Sequence, residues 1–425
     1  MKFTRVFAFM ALAGLAGSAF ATNGMFSHGY GMKSKGMAGA STASSDDAFF
    51  GANNPAAAAF AGNRLDLGVD LFSPIRETVN VGGNAPPAGF GPGAVGAESE
   101  AEYFLIPEFG YNYMVSDTLA LGVTVYGQGG MNTDYPALGG AFGTTNSLGG
   151  QGALGVDLMQ LIIAPTAAFK VAPNHSIGVS PLLGYQKFAA TGLQGFAPIS
   201  SDGTALTNQG NDDAFGYGLR IGYMGKFGAV SIGAAYSTKV DFDEFSKYKG
   251  LFAEQGDLDL PENYNLGIAW QATPELKLAA DYQRINYSGV NSIGNASDSY
   301  ATGGILGLDN GSGFGWADMD VWKLGAEYKL NQQMTLRAGY SYGESPIDGD
   351  APAEATFNII APGVIEHHIT LGMTYTTASG DEMTVAYMHG FENDVSGNRP
   401  AGFGGGVDTT TMYQNSLGFQ YSWKM

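Results

Sequence analysis

Ser416-Leu417-Gly418-Phe419-Gln420-Tyr421-Ser422-Trp423-Lys424-Met425 is the stretch that decides the fold. Leu417, Phe419, Tyr421, Trp423 and Met425 fall on one phase of a two-residue period, and Ser416, Gly418, Gln420, Ser422 and Lys424 on the other. Successive side chains of a strand point to opposite faces, so one face is apolar and aromatic and the other small or polar. A soluble sandwich would carry its polar face outward. A transmembrane β-barrel turns the apolar phase to lipid and the polar phase to the lumen.

The pattern recurs upstream. Trp322, Leu324, Ala326, Tyr328 and Leu330 alternate with Lys323, Gly325, Glu327 and Lys329. Met334, Leu336, Ala338, Tyr340 and Tyr342 do so with Thr335, Arg337, Gly339 and Ser341, and Phe215 to Tyr223 repeat it around Arg220. Period-two alternation predicts strands at 64–73, 102–114, 119–129, 156–171, 175–189, 214–226, 229–241, 262–272, 276–288, 320–330, 334–344, 364–377, 382–391 and 413–425, fourteen in all. The segment 156–171 alternates poorly, and its facing stays open. Short turns, such as Val115–Thr118, Phe227–Gly228 and Asn331–Gln333, alternate with longer loops at 74–101, 130–155, 289–319 and 392–412. An even strand number with short periplasmic turns and long outer loops is the bacterial outer-membrane pattern.

Composition narrows the class. Lys2 and Arg5 precede an apolar run from Val6 to Gly17, and Ala19-Phe20-Ala21 has small-x-small spacing, so residues 1–21 read as an export signal. That run is short for a membrane helix, which needs about 20 residues. Without the signal, 18 basic residues face 39 acidic ones, a net charge of −21. Such a balance disfavours nucleic acid, whose binding neutralises phosphates with Lys and Arg. The chain has no cysteine, which removes disulfides and thiolate metal sites. No stretch after residue 21 is apolar enough for a spanning helix, so a membrane location requires a closed barrel.

Residues 22–62 do not alternate. They hold Asp46-Asp47 and then Asn54-Pro55-Ala56, where Asn54 suits an N-cap and Pro55 the first helical position. The choice is a periplasmic tail or a plug in the lumen. Gly68, Gly110, Gly178, Gly222, Gly339, Gly418 and other glycines fall on the inward phase. Glycine in a strand makes room where another backbone approaches, which favours the plug. The expected organisation is therefore a signal (1–21), an N-terminal hatch (22–62) and a barrel (63–425).

The stretch from Gly29 to Ala59 resembles the N-terminal hatch of the FadL/TodX family of outer-membrane transporters, in its Gly- and Met-rich run, its acidic pair and Asn54-Pro55-Ala56. Thr335 to Pro346, Ala361-Pro362-Gly363 with His368 to Gly372, and Leu260-Pro261-Glu262 are similar to further family motifs in the same order. The final residue, Met425, departs from the aromatic with which many barrels end. The resemblance implies passive transport of hydrophobic compounds, long-chain fatty acids or aromatic hydrocarbons. Capture by the outer loops, movement of the hatch and lateral exit beside a kink in the third strand belong to the same implication. Gly127, Gly129 and Gly130 can permit that kink.

Phe104 and Ile106 lie on the inward phase near the outer end of the second strand, and with Phe90, Pro86 and Pro87 they are candidates for an entry pocket. Inward Arg220, Lys323 and Arg337 can hold a carboxylate or pair with lumen acids such as Glu327, Asp46 and Asp47. Strand phase splits Glu366-His367-His368, which disfavours a metal chelate, and no serine stands in a nucleophile constellation. The acids Asp241 to Glu244, Glu254, Asp257 and Asp259 read as a solvated outer loop, or as ligands for divalent cations of the lipopolysaccharide layer. The sequence thus predicts a bacterial outer-membrane protein without enzymatic activity or cofactor. Its partners would be a hydrophobic ligand and outer-membrane lipid, with nothing that demands a trimer. The competing functions are a general or polar-solute porin and a structural or adhesive surface barrel.

Overall fold

The computed structural model describes residues 22–83, 94–139 and 143–425. The expected signal at 1–21 and the loop candidates Pro86, Pro87 and Phe90 lie outside them. Fourteen antiparallel strands form the wall, each paired with its neighbours in chain order. They are β1 (Arg64–Val81), β2 (Phe104–Met114), β3 (Leu119–Tyr135), β4 (Leu154–Ala172), β5 (His175–Thr191), β6 (Asp212–Phe227) and β7 (Val230–Ser237). The second half has β8 (Asn263–Gln271), β9 (Leu276–Ile285), β10 (Met319–Lys329), β11 (Met334–Gly343), β12 (His367–Thr376), β13 (Glu382–Asn398) and β14 (Val407–Lys424). The barrel closes where β1 pairs with β14, from Arg64 opposite Lys424 to Val81 opposite Val407. Two short strands stand beside this ring: Ala94–Glu98 pairs with β1, and Asp241–Phe242 with β6.

The predicted alternation sets the facing. Leu417, Phe419 and Met425 are exposed on the outer wall, whereas Ser416, Gln420 and Ser422 are buried inside. Aromatic pairs such as Tyr282 with Trp322 and Tyr421 with Trp423, at 4.8 and 4.4 Å, mark the two ends of the outer wall, where amphipathic rings suit a membrane interface.

Several strands outrun their predictions. β1 continues to Val81 rather than 73, β3 to Tyr135 rather than 129, β13 to Asn398 rather than 391, and β14 starts at Val407 rather than 413. The extensions, for instance Thr409-Thr410-Thr411, keep the backbone ladder but leave the lipid band, so the apolar alternation that marks a strand in sequence stops first. The poor alternation of β4 has the opposite origin. Its inward Leu154, Val156, Leu158 and Ile162 are apolar and buried, because that half of the lumen is an apolar core, and both faces read alike.

The lumen is full. At the long-loop end, short helical turns, among them Gln194–Ile199 and Glu354–Phe357, fold over the opening. Phe196 and Phe357 of these turns, with Phe252, Phe314 and Trp316 of the loops beside them, join one cluster with Phe188, Leu182 and Val321 of the wall. Of the acids between 241 and 259, Asp241, Asp243, Glu244 and Glu254 are exposed, whereas Asp257 and Asp259 are buried in the cap, with Asp259 paired to Lys239. Nearer the short turns, the lumen is occupied by residues 22–62.

Candidate functional site

The N-terminal segment has one short helix (Met32–Lys35) and one 3-10 helix (Pro55–Phe60), so few of its backbone groups are paired internally. Buried backbone groups need partners, and the inner wall supplies them. Met32 N–H donates to Gln420 (2.8 Å), Gly31 N–H to Glu108 (3.1 Å) and Ala38 N–H to Thr370 (2.9 Å). Ser41 and Thr42 N–H both donate to Asp281, and Ala48 N–H to Asp66. Asn54 is completely buried, accepts from Ala56 N–H at 3.1 Å and donates to the carbonyls of Thr42 and Tyr223. Pro55 opens the 3-10 helix behind that cap.

The inward glycines explain the fit. A methyl group added at Gly178 would lie 2.4 Å from the Ala56 nitrogen, and at Gly222 only 2.1 Å from Asn54 Oδ1. At Gly339 it would meet the Met37 carbonyl carbon at 2.4 Å, and at Gly418 the Met32 sulfur at 2.0 Å. Gly184, Gly216 and Gly218 instead make room for Val240, Phe242 and the backbone near them, an outer segment folded back into the barrel.

Charge pairs bind the segment at its middle. Lys35 Nζ stands 2.7 Å from both Asp70 and Glu108, and Lys33 Nζ 2.6 Å from Glu382. Asp46 pairs with Lys277, which also reaches Glu327, while Asp47 accepts from Phe49 N–H. Arg337 is taken by Glu327 at 2.7 Å and by Thr374, and Lys323 donates to the His28 carbonyl at 3.2 Å. Arg220 differs. Its Nε donates to Ser237, but Nη1 has no partner in its buried position. Phe104 and Ile106 point inward and pack with Phe72 and Met388.

Among the described residues, the wall has a gap between β2 and β3. β2 and β3 pair only from Met114–Ala120 to Phe109–Val125. Beyond Val125, β3 turns inward: Tyr126 to Met131 are all buried, and the pairing with β4 shifts register between Gly127 and Gly129, leaving Gln128 as the extra residue of a bulge. A bulge bends its strand, and the gap it leaves faces the start of the N-terminal segment. Phe26 bridges to Gly129, and the Tyr30 hydroxyl donates to the Gln128 carbonyl at 3.1 Å. A methyl at Gly129 would sit 2.0 Å from the Met25 carbonyl oxygen, so only glycine fits that contact.

Two interior voids adjoin this region. One, about 40 Å³, is lined by Met131, Val156, Phe188, Phe252, Phe314 and Ile360 under the cap. The other, about 10 Å³, is lined by Phe26, Gln128, Ile162, Leu182, Arg220 and Asn263. A larger groove of about 680 Å³ lies on the lipid face between Phe169, Ile177, Ile221 and Tyr236, outside the lumen. Arg220 Nη1, Gln128 Nε2 and Asn263 Oδ1, all in the lining of the smaller void, are buried without partners. In the cap, burial pushes the Glu354 carboxyl up to about 7 while it accepts from Asp348 N–H. Sequence alone singled out Arg220 and the three glycines; the roles of Lys33, Lys35, Gln128 and the cap aromatics depend on contacts between segments far apart in the chain, such as Lys33 with Glu382, and left no local pattern.

A search of curated proteins finds no match. Among solved structures, the Pseudomonas putida toluene transporter TodX superposes with a TM-score of 0.68 at 20% identity, over 95% of this chain and 100% of its own. A Pseudomonas aeruginosa FadL homologue gives 0.69 at 17% identity, over 94% and 99%, and the Ralstonia pickettii toluene transporter TbuX 0.65 at 18%, over the same shares. Fourteen strands, an occupied lumen and residues 8–422 that match the family model together place this chain in the outer membrane protein transport protein family (OMPP1/FadL/TodX).

Proposed function

We propose that the chain carries hydrophobic small molecules across the outer membrane by passive diffusion. Residues 22–62 act as a hatch, and the molecules leave sideways through the gap between β2 and β3. The observation that carries this is the gap itself, where a bulged strand turns inward against the start of the hatch. An apolar solute gains nothing from a water-filled pore, and an apolar path into lipid suits it. The cap void, with six apolar side chains and no charge among those named, is the first station; Phe104 and Ile106 line the wall beside the gap. TodX and TbuX are described as toluene transporters, which agrees with an aromatic hydrocarbon as one substrate class.

Arg220 offers a way to divide the two classes. Its free Nη1 and the Gln128 amide present two donors to one small void, an arrangement that accepts a carboxylate by charge-assisted hydrogen bonds. Uptake by a strain lacking the protein should depend on its restoration, measured with labelled toluene and a labelled long-chain fatty acid. Arg220→Met is expected to lower fatty-acid uptake about tenfold, a typical cost of a lost charged contact, and to leave toluene unchanged. Equal uptake with and without the protein, for both compounds, sinks the transport proposal.

A further inference from the structure

The gap in the wall is a window with a closed upper edge. Above the run from Tyr126 to Met131, which pairs with β4 but not with β2, the two sides meet again. Glu100 N–H donates to the Asp134 carbonyl at 2.8 Å, and Asp134 N–H to Ser99 Oγ at 3.0 Å. Arg76 crosses behind this junction. It belongs to β1, points inward and is 3% exposed. Its Nη1 donates to the Asn132 carbonyl on β3 and its Nη2 to the Ala101 carbonyl just before β2. The guanidinium also lies 6.0 Å from the Phe104 ring, and its Nε is left without a partner.

Both donors of this buried cation go to backbone carbonyls rather than to a carboxylate, an arrangement that packing alone does not require, since buried charges are ordinarily paired. What a planar guanidinium supplies is a fork with fixed spacing, which joins two segments that share no ladder at that point. A lysine ammonium is a single point of charge and lacks that fork.

We infer that Arg76 is the crossbar of the window: it fixes the distance between the two sides at the top and so limits the cross-section of what passes. The inference rests on the lateral exit proposed above. Its test compares initial uptake of labelled toluene and the bulkier biphenyl in cells carrying wild-type protein, Arg76→Met or Arg76→Lys, each verified as a folded barrel by heat-dependent gel mobility. The biphenyl-to-toluene ratio is expected to rise about tenfold in Arg76→Met, the low end of what one steric contact discriminates, and by less in Arg76→Lys. An unchanged ratio in folded Arg76→Met overturns the crossbar; if that variant does not fold, an unchanged ratio in Arg76→Lys does so. Deletion of Gln128 removes the extra residue of the bulge and separates the two failures. If the deletion abolishes uptake while the ratio stays unchanged in Arg76→Met, the crossbar alone is wrong. If uptake of both compounds survives the deletion, lateral exit is wrong and the crossbar falls with it.

Discussion

Glu354 shows how one residue ties the cap to its surroundings. Its carboxyl is buried against Gly315, with Asp348 as both hydrogen-bond donor and neighbouring like charge. Folding raises its pKa from 4.5 to about 7, so the protonated form is the one the cap prefers. The stability this contributes is fully present below pH 4.5 and is lost as pH rises through about 7. Amide hydrogen exchange in 345–358, corrected for intrinsic rates, should therefore be faster at about pH 8 than at about pH 5.5, and Glu354→Gln should flatten the difference. If the variant keeps the full difference, another group is responsible. Nothing in the sequence around Glu354 marks it, because its burial is completed by Gly315 on a different loop. Asn54 is the contrary case. Its cap and its proline are adjacent in the chain, and the same two residues that suggested a helix start do form one.

At the scale of elements, legibility followed the lipid. Where a strand has one face in lipid and the other against polar or small groups, as β10, β11 and β14 do, alternation gave both its position and its facing. Where the inner face meets an apolar core, as in upper β4, the contrast vanished, and above the lipid band only the ladder remained. The helix Met32–Lys35 is too short to hold itself together; it exists because Lys35 is clamped between Asp70 of β1 and Glu108 of β2. Lys35→Met should leave two carboxylates facing each other in a buried site, at a cost of about 3–5 kcal/mol for an uncompensated buried charge. The denaturant midpoint of the refolded barrel should fall accordingly, while Lys170→Met, whose cation rests on Phe60 at the rim, should change it by less than about 1 kcal/mol. Equal effects of the two substitutions would show that the clamp carries no special weight.

For the whole molecule, the occupied lumen makes an electrical prediction. Reconstituted in planar bilayers, the intact protein should pass little current, and removal of residues 22–62 should raise conductance sharply, because the inner wall left behind is lined by Asp66, Asp70, Glu108, Asp281 and Arg337, which hold water and ions. An intact protein that conducts like an open porin contradicts the hatch. The closure of the barrel has a different consequence, one of time rather than space. Only Ala61, Gly62 and Asn63 separate the last turn of the N-terminal segment from β1, and β1 is sealed by β14, whose Lys424 lies about 360 residues away from its partner Arg64. Pairings so distant in sequence form late. The residues of the N-terminal segment must thus wait, unburied, for the last strand before they have an interior to occupy. Small side chains predominate in that segment, while its Met25, Phe26, Phe49 and Phe50 reach burial only when the wall is drawn around them.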